Sequence, residues 1–471
     1  MNELVVEDLI KKFEKIGQAH VFKGFEELSK GEQMDFIKRA RLIDLDNLDN
    51  LLERARSYEV QEIDFRNLKP VSSIVKHAIR DNEEVYRNVI TKGEEVISQG
   101  KVGCLLVAGG DGTRLGFSGP KGMLPVTAIK KKSLFQLFAE QILVAQRRYG
   151  TIIPWFIMTS ESNHECTQKF FLDNDYFGLK EVYFFKQGVC PVLNLDKKLI
   201  LDENGLIAVA PDGHGGCFTA LAKNGLIEVM EKLEINLISY FQVDNPLVKC
   251  IDPLFIGLHV LSDAEMSCKG VKKRHMMERV GIFCQEKEKV KIVEYHQACE
   301  EMLESRDENG ELQFNLGNVG VHLMSREFIR KISSSDKLCY YQTKKKVSFL
   351  DENKKLVVPE EPNGLKFEKL IFDALGEARE VMLLEVMRED EFSPIKNAEG
   401  SDSLESFKKD QLRQYREWFS QVGVEILSEG GPGGIFNIEI SPFFADNQDA
   451  FIEKWESLLL KPKILAKTFL E

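Results

Sequence analysis

The sequence predicts an α/β protein with a central, mostly parallel sheet. Four apolar runs suit buried strands, and they lie at residues 102–110, 154–160, 181–188 and 236–245. Segments whose apolar residues recur at helical spacing separate these runs, and this alternation is typical of parallel sheets. Each run ends in polar or Gly-rich residues. Because ligands of parallel sheets bind beyond the carboxyl ends of the strands, we expect the functional site at these ends.

A helical region precedes this pattern. Residues 1–98 are rich in Leu, Glu, Lys and Arg and poor in Gly and Pro. Stretches such as residues 32–55 place apolar side chains at helical intervals, which predicts an all-helical lead-in without chemistry of its own. A purely structural scaffold role is compatible with this region.

The first residues of the chain, MNELVVEDLIKKFEKIG, are acidic and amphipathic. They lack the basic end and the continuous apolar run of a signal peptide. No apolar run in the sequence approaches the roughly 20 residues that a membrane-spanning helix needs. We therefore expect a cytoplasmic protein without a membrane partner.

The remaining chain divides into two predicted regions. Residues 99–396 hold the strand-like runs, a helix that Ser133 begins and Gly150 ends, and a second helix over residues 219–233. Residues 397–471 open with polar side chains and continue with a Gly-rich turn and alternating apolar residues. These features predict a small appended C-terminal α+β domain.

Composition excludes several classes of protein. The 471 residues carry 63 Lys plus Arg against 75 Asp plus Glu, a formal charge of −12, so we expect no nucleic-acid partner. A local basic pocket for a small anion is compatible with that charge. The nine cysteines form no close Cys-x-x-Cys pair, which indicates free thiols in a reducing cytosol rather than zinc ligands or disulfides.

A glycine-rich loop follows the first predicted strand, in the stretch LLVAGGDGTRLGFSGPKG at residues 105–122. A P-loop requires Gly-Lys-Ser or Gly-Lys-Thr at the start of a helix, and neither follows Gly112 or Gly116. A dinucleotide-binding loop requires a third glycine where Leu115 stands. The loop therefore belongs to neither of these phosphate-binding types.

The loop nevertheless has the parts of an anion site. Its glycines, Gly109, Gly110 and Gly112, allow successive backbone N–H groups to point at an anion. Arg114 offers a planar fork for phosphate oxygens and Lys121 a point charge. Two cations together with backbone donors suit a triphosphate better than a single phosphate.

The stretch GDGTRLGFSGPKG resembles the nucleotide loop of the sugar-1-phosphate nucleotidyltransferases. More narrowly, it is similar to the eukaryotic-type UDP-N-acetylglucosamine pyrophosphorylases and their UDP-glucose relatives. The similarity continues over roughly residues 100–445, through runs such as FFKQG, APDGHGG, QVDNPLV, FNLGNVGVH, PNGLKFEKLIFD and REDEFSPIKNA. It implies a Rossmann-like, mixed but mostly parallel nucleotidyltransferase domain. It also implies that UTP and a sugar 1-phosphate give a UDP-sugar and pyrophosphate, with Mg²⁺ as cofactor.

The resemblance also assigns roles to individual positions. The expected nucleotide-binding residues are Leu106, Ala108, Gly109, Gly110, Gly112, Gln187 and Gly213. The expected catalytic cations that meet the phosphates are Arg114, Lys121 and Lys396. The expected sugar-binding residues are His214, Gly281, Glu294, Asn318 and Phe372, and the expected magnesium ligand is Asp244.

The chemistry of these residue types agrees with the assigned roles. The amide of Gln187 has both a donor and an acceptor for the edge of uracil. Asp244 ends an apolar strand, where an unpartnered carboxylate is costly, and it suits a metal ion that bridges phosphates. The sugar phosphate is already a charged nucleophile, so the reaction requires alignment and charge neutralisation and no general base.

Two departures from the acetamido-sugar enzymes leave the sugar open. His214 stands where the acetamido-sugar enzymes usually have Asn, and the resulting Gly-His-Gly is more similar to the UDP-glucose enzymes. Leu370 stands where the family often has an aromatic residue, while the aromatic Phe372 is kept. N-acetylglucosamine 1-phosphate is the first expectation and glucose 1-phosphate the alternative. A sensor that binds nucleotide sugars without turnover is a third hypothesis, against which the four residues Arg114, Lys121, Asp244 and Lys396 argue. The sequence makes no prediction about the oligomeric state.

Overall fold

The structure is a computed structural model that describes most of the chain. The described residues are 3–45, 48, 51, 65–335, 337–351, 355–424, 426, 437–464 and 467–471. Within the chain, contacts define two compact units. The first unit comprises Met1–Glu62, Gln187–Ala220 and Ser334–Ala374, and the second comprises Ile63–Lys186, Leu221–Ser333 and Leu375–Glu471. The three regions predicted from the sequence, 1–98, 99–396 and 397–471, stay a prediction.

The described elements alternate between strands and helices along most of the chain. The α-helices span Glu3–Lys15, Lys30–Arg41, Lys76–Arg80, Glu83–Ser98, Leu134–Tyr149, His164–Asp173, Cys217–Lys223, Leu226–Lys232, Pro253–Leu261, Glu300–Glu304, Arg326–Ser333, Arg388–Glu391, Leu404–Gln421 and Gln448–Ser457. The strands are β1 Leu68–Pro70, β2 Ile74–Val75, β3 Val102–Val107, β4 Trp155–Thr159, β5 Val182–Lys186, β6 Val189–Pro191, β7 Leu193–Asn194, β8 Val209–Pro211, β9 Leu237–Gln242, β10 Met266–Lys272, β11 Ile282–Glu286, β12 Lys289–Val293, β13 Leu316–Ser325, β14 Tyr340–Lys345, β15 Phe349–Leu350, β16 Leu356–Val357, β17 Gly364–Lys369, β18 Val381–Glu385, β19 Asn437–Ile440 and β20 Lys467–Leu470.

The second unit contains the main sheet. Its strands follow the order β2-β18-β10-β13-β9-β3-β4-β5, and β11 pairs with β13, β12 and β1 beside this path. The four strands predicted from apolar runs, β9, β3, β4 and β5, are neighbours and run parallel. Only β13 runs antiparallel to both of its neighbours on the path. The predicted α/β class with a mixed, mostly parallel sheet is confirmed.

The helix Leu134–Tyr149 shows why the sequence folds as predicted. Ser133 caps its first turn by accepting a hydrogen bond from the Gln136 N–H at 3.1 Å. Gly150 ends it with φ of 65°, a conformation that glycine adopts without steric cost. The apolar face packs into the main core, where each fully buried large side chain contributes roughly 1.5–3 kcal/mol.

Two local predictions were wrong. The lead-in is not all-helical, because β1 and β2 lie within residues 65–98 and join the main sheet through β11 and β18. The predicted helix over residues 219–233 is two helices, since Gly225 has φ of 67° and interrupts the helical backbone. Part of the helical stretch at 32–55 lies outside the described residues.

The C-terminal part of the second unit has its own small core. The helices Leu404–Gln421 and Gln448–Ser457 pack with the parallel pair β19 and β20. Phe419, Phe451 and Trp455 are buried together, with ring centroids between 4.9 and 5.7 Å apart. This agrees with the α+β character predicted for the tail. The predicted Gly-rich turn at residues 430–434 lies outside the described residues.

The first unit has a separate aromatic core. Phe13, Phe22, Phe25 and Phe36 contact one another edge to face, at centroid distances from 5.1 to 5.8 Å. This cluster packs with buried residues from the strands of the same unit, in which β17 pairs with β14 and β7. The unit therefore has an independent hydrophobic core. Among the described residues of the whole chain, no helix has the length and apolar character needed to cross a membrane.

Candidate active site

The glycine turn follows β3 in the second unit and is closed by its own backbone. The Lys121 N–H donates to Gly110 O at 3.0 Å, and the Gly112 N–H donates to Gly119 O at 2.8 Å. Gly112 has no room for a Cβ, which would lie 2.8 Å from the Phe117 ring. In the described part of the chain, the N–H groups of Gly109 and Gly110 donate to no protein acceptor. The turn thus presents backbone donors of the kind that bind anions.

Asn163 holds this turn in place and was not identified from the sequence. Its side chain is 1% exposed, and its Nδ2 donates to Ala108 O at 3.1 Å and to Gly110 O at 3.5 Å. Its Oδ1 accepts from the Ser160 N–H at 2.9 Å. The available signal was its position just after β4, at the carboxyl edge of the sheet, where polar residues are expected to serve the site.

Lys121 lies in the short helical turn that follows the loop. Its Nζ donates to Ile395 O at 3.3 Å. Burial lowers the pKa of the Lys121 ammonium, Asp244 opposes that shift, and the charges of Lys396 and Arg114 add to it. Asp244, Lys396 and Arg114 therefore all lie within electrostatic reach of Lys121. The other two predicted cations and the predicted metal ligand are thus grouped around Lys121.

Asp244 and Lys396 are brought together by the backbone. Asp244 comes just after β9, and its carbonyl accepts from the Ile395 N–H at 2.7 Å. Lys396 Nζ consequently lies 3.7 Å from Asp244 Oδ2. The Asp244 side chain is 14% exposed, whereas that of Lys396 is 47% exposed. The carboxylate is fixed near the sheet and the lysine can reach toward a ligand.

The three residues expected to bind the sugar in the second unit are also adjacent. The Asn318 N–H donates to Gly281 O at 2.8 Å, and Asn318 Oδ1 accepts from the Gly320 N–H at 3.0 Å. A Cβ on Gly281 would lie 2.8 Å from Glu294 Oε1, so only glycine leaves space for that carboxyl. Burial raises the pKa of Glu294, and the Lys396 charge opposes the shift. Glu294 therefore lies within electrostatic reach of Lys396.

The donor set suits a magnesium ion that is held largely by substrate. In the described residues, no group of three or more His, Cys, Asp and Glu side chains forms a ready-made metal cage. Magnesium is often bound by one or two carboxylates, with substrate phosphates and water completing its ligands. The Asp244 carboxylate, with Lys396 at 3.7 Å and Lys121 within electrostatic reach, fits this pattern.

Leu106 and Ala108 support the glycine turn from the hydrophobic core. Both side chains are fully buried in the main core at and just after the end of β3. The Ala108 N–H donates to Met158 O at 2.8 Å, which continues the pairing between β3 and β4. Their side chains support the glycine turn instead of lining it, and their role in binding nucleotide stays a prediction.

The other predicted positions lie in the first unit. Gln187 follows β5 directly and is half-buried, and its side-chain amide has no protein partner among the described residues. Gly213 has φ of 84°, and a Cβ there would lie 2.8 Å from the Lys369 N atom. The Lys369 N–H donates to Asp212 O at 2.7 Å. The loop at Gly213 is therefore packed tightly on the end of β17.

His214 contacts the segment that carries the second departure from the acetamido-sugar pattern. Its Nδ1 accepts a hydrogen bond from the Ile371 N–H at 3.1 Å, so the neutral ring carries its proton on Nε2. Its ring centroid lies 5.9 Å from that of Phe372. A Cβ on Gly215 would lie 2.7 Å from the Leu370 backbone. The two departures, His214 and Leu370, thus lie in one packed patch of the first unit.

Comparison with known proteins gives a consistent result. Residues 45–411 match the family model described as UTP–glucose-1-phosphate uridylyltransferase. The chain is 36% identical over 443 residues to the UDP-N-acetylhexosamine pyrophosphorylase-like protein 1 of Xenopus tropicalis, covering 89% of this chain and 86% of that protein. It is 33% identical over 457 residues to the UDP-N-acetylglucosamine diphosphorylase 2 of Arabidopsis thaliana, covering 92% of this chain and 88% of that protein.

A solved structure has the same architecture. The uridine diphosphate N-acetylglucosamine pyrophosphorylase of Trypanosoma brucei, solved with an inhibitor, superimposes with a TM-score of 0.81. The two sequences are 26% identical, and the alignment covers 99% of this chain and 98% of that one. The similarity therefore extends over both units and the C-terminal part of the chain.

Proposed function

This chain belongs to the UTP–glucose-1-phosphate uridylyltransferase family, and on that premise we propose that it joins UTP to a sugar 1-phosphate. The products are a UDP-sugar and pyrophosphate. Both relatives described above have an N-acetylhexosamine or N-acetylglucosamine in their names, so the sugar is N-acetylglucosamine. The enzyme is cytoplasmic, in agreement with nine cysteines that show no paired pattern.

One observation carries this function, namely that Asp244, Lys396 and Arg114 are grouped around Lys121, which directly follows the glycine turn. The nucleophile is an oxygen of the sugar phosphate, which is charged before it reacts. It attacks the α-phosphorus in line with the departing pyrophosphate. No side chain must remove a proton, so the protein has to align the reactants and neutralise charge.

The residues divide this task by position. The N–H groups of Gly109 and Gly110 donate to phosphate oxygens, while Arg114 and Lys121 neutralise the charge that grows on the pyrophosphate. Lys396 neutralises the oxygens around the α-phosphorus. Removal of one such contact typically costs roughly 2.7–4 kcal/mol of transition-state stabilisation.

Sugar and base are bound by the remaining positions. Glu294 accepts from sugar hydroxyls, and Asn318 offers both donors and acceptors. In the first unit, Gln187 pairs its amide with the donor and acceptor edge of uracil, and the backbone at Gly213 supplements it.

The cofactor is Mg²⁺, and Asp244 is the residue that holds it. When bound, the ion supplies positive charge that neutralises phosphate oxygens. Asp244 is suited to this task because its backbone is fixed by Ile395 and its side chain stays partly open to solvent.

Glucose 1-phosphate is the second candidate substrate, and one observation favours it. His214 occupies the position where the acetamido-sugar enzymes usually have Asn, and it contacts the segment that contains Leu370. Pyrophosphate release from UTP and Mg²⁺ should be measured with the 1-phosphates of N-acetylglucosamine, N-acetylgalactosamine, glucose and galactose. The proposal predicts the highest kcat/KM for N-acetylglucosamine 1-phosphate. A preference for glucose would instead identify His214 and Leu370 as specificity residues.

A further inference from the structure

Asn245 is a buried amide directly beside the proposed metal ligand. It is 2% exposed and follows Asp244 in the chain. Its Nδ2 donates to Glu391 O at 2.7 Å, and its Oδ1 accepts from the Ser393 N–H at 3.1 Å. One side chain thus uses both its donor and its acceptor to tie the end of β9 to residues 391–395.

These two hydrogen bonds determine where the backbone before Lys396 runs. Two residues after Ser393, the Ile395 N–H donates to Asp244 O at 2.7 Å. The Ile395 carbonyl in turn accepts from Lys121 Nζ at 3.3 Å. A shift of this backbone would therefore displace Lys396 and would also remove an acceptor from Lys121.

The Glu391 end of the segment is anchored in a buried charge cluster. The Glu391 side chain is 3% exposed and forms ion pairs with Lys269 and Lys76. Lys269 Nζ also lies 2.6 Å from Asp252 Oδ2, and Lys249 Nζ lies 3.7 Å from Glu391. Because these contacts fix Glu391, its carbonyl is a fixed acceptor for the Asn245 amide.

The Lys396 side chain has little support of its own. The Lys396 N–H donates to Asp402 O at 2.6 Å, which fixes the backbone on its far side. Beyond that, the ammonium lies near only one described acidic partner within ion-pair distance, Asp244 at 3.7 Å. Its placement therefore depends on the backbone that Asn245 holds.

We infer that Asn245 is a positioning residue, which holds residues 391–395 so that the Lys396 ammonium is aligned for uridylyl transfer. This inference rests on the proposed function, since it gives a role to a residue that contacts no substrate. A merely structural Asn245 would satisfy buried backbone groups, and its loss would lower stability without any special relation to Lys396.

A double-mutant cycle distinguishes these two roles. The variants are Asn245→Ala, Lys396→Met and the combination of both, with kcat and both KM values measured on folded protein. If Asn245 acts through Lys396, Asn245→Ala lowers kcat roughly tenfold or more in the native background. In the Lys396→Met background the same change then has a smaller effect on kcat, because only the part that acts through Lys121 remains. Equal effects in both backgrounds would overturn the inference.

Two further variants make the cycle robust. Gln146→Ala is the matched control, because Gln146 Nε2 also donates to a backbone carbonyl, that of Ile153 at 3.2 Å, away from the site. It should leave kcat unchanged, and a loss like that of Asn245→Ala would contradict a specific role. If Asn245→Ala does not fold, Asn245→Leu replaces it, since it keeps about the same side-chain shape, adds no charge and removes both hydrogen bonds.

Calorimetric binding of UTP to the same four proteins separates this inference from the proposed function. Wild-type protein that binds UTP without releasing pyrophosphate would contradict the function alone. Asn245→Ala should then still weaken UTP binding in the native background, and by less in the Lys396→Met background. Additive losses of UTP affinity would contradict the positioning role whether or not the protein turns over.

Discussion

Lys396 Nζ lies 3.7 Å from Asp244 Oδ2, which is longer than a hydrogen bond and within the range of an ion pair. The lysine is about half exposed, so the pair is screened by solvent and contributes at most about 1 kcal/mol to stability. Breaking this ion pair therefore costs little. A metal ion would then bind the carboxylate, and phosphate oxygens would bind the ammonium. The proposed roles of the two residues, a metal ligand and a phosphate-binding cation, are thus compatible with their contact.

Lys121→Met should separate activity from stability. Burial lowers the pKa of Lys121, so its charged form is disfavoured in the folded state relative to the unfolded state. The loss of stability from burying the charged lysine is fully present below the pKa of Lys121 in the folded state. It disappears as the pH rises from that pKa to the pKa of the unfolded state. The variant should therefore lose roughly 100-fold or more in kcat while its stability at neutral pH is unchanged or higher.

The measurement for Lys121 pairs steady-state kinetics with urea denaturation at neutral pH. Lys92→Met is the control, because Lys92 lies on the surface in an i,i+3 pair with Glu95. The control should change neither quantity. Parallel loss of activity and stability in Lys121→Met would mean that the lysine is structural.

Glu294→Gln should remove a pH dependence of sugar binding. Burial raises the pKa of Glu294, so this carboxyl takes up a proton at a higher pH than an ordinary glutamate. Ionisation of Glu294 therefore lowers the stability of the folded protein. This loss is fully present above the pKa of the folded state and absent below the pKa of the unfolded state. As pH falls toward the folded pKa, the acceptor for sugar hydroxyls is lost and KM for the sugar phosphate should rise.

KM for the sugar 1-phosphate, measured from mildly acidic to neutral pH, tests this expectation. The sugar phosphate titrates in the same range, and the Gln variant corrects for that because it retains only the contribution of the substrate. The wild type should show the steeper rise toward acidic pH. Identical profiles for the two proteins would show that Glu294 does not contact the sugar.

Lys269→Met should be among the most destabilising single changes in the second unit. The substitution leaves Glu391 and Asp252 buried and removes the cation that pairs with both. Loss of one partner of a buried ion pair typically costs about 3–5 kcal/mol. Lys38→Met removes the exposed Lys38–Asp35 pair and should cost less than about 1 kcal/mol. Urea midpoints that fall equally for both variants would contradict the importance of the cluster.

Gly122→Ala should perturb the phosphate loop through packing alone. A Cβ at this position would collide with the Phe135 ring, which is fully buried. Overpacking of this kind costs about 1–3 kcal/mol, and here it also displaces the neighbouring Lys121. Gly376→Ala is the control, because nothing lies within 4 Å of its Cβ position. The melting temperature and kcat should both fall for Gly122→Ala and for neither in the control. An unchanged kcat in Gly122→Ala would mean that the packing of the loop does not affect catalysis.

Local rules explain the parts of the fold that the sequence predicted. The strands β3, β4, β5 and β9 could be predicted because each is an apolar run of strand length. The helix Leu134–Tyr149 could be predicted because Ser133 caps its first turn and Gly150 ends it. The exceptions are also local. Gly225 interrupts a pattern that looked continuous, and the short β1 and β2 depend on pairing with distant strands.

The supports of the site could not be predicted, because they depend on contacts between distant parts of the chain. Asn245 donates a hydrogen bond to Glu391, which is 146 residues away in sequence, and Asn163 donates one to Ala108, which is 55 residues away. Neither residue type is distinctive in sequence. The proposed roles of Arg114, Lys121, Asp244 and Lys396 rest on motif similarity, and the structure adds that the other three residues are grouped around Lys121.

The most direct test of the account follows the α-phosphate of UTP. Labelled at that position, UTP should be incubated with Mg²⁺, N-acetylglucosamine 1-phosphate and the full-length protein, and all phosphate-containing products should be separated. The account predicts that the label appears in the UDP-sugar, with one pyrophosphate released for each label transferred. Label that stays in UTP although UTP is bound, or that appears in UMP, would contradict uridylyl transfer.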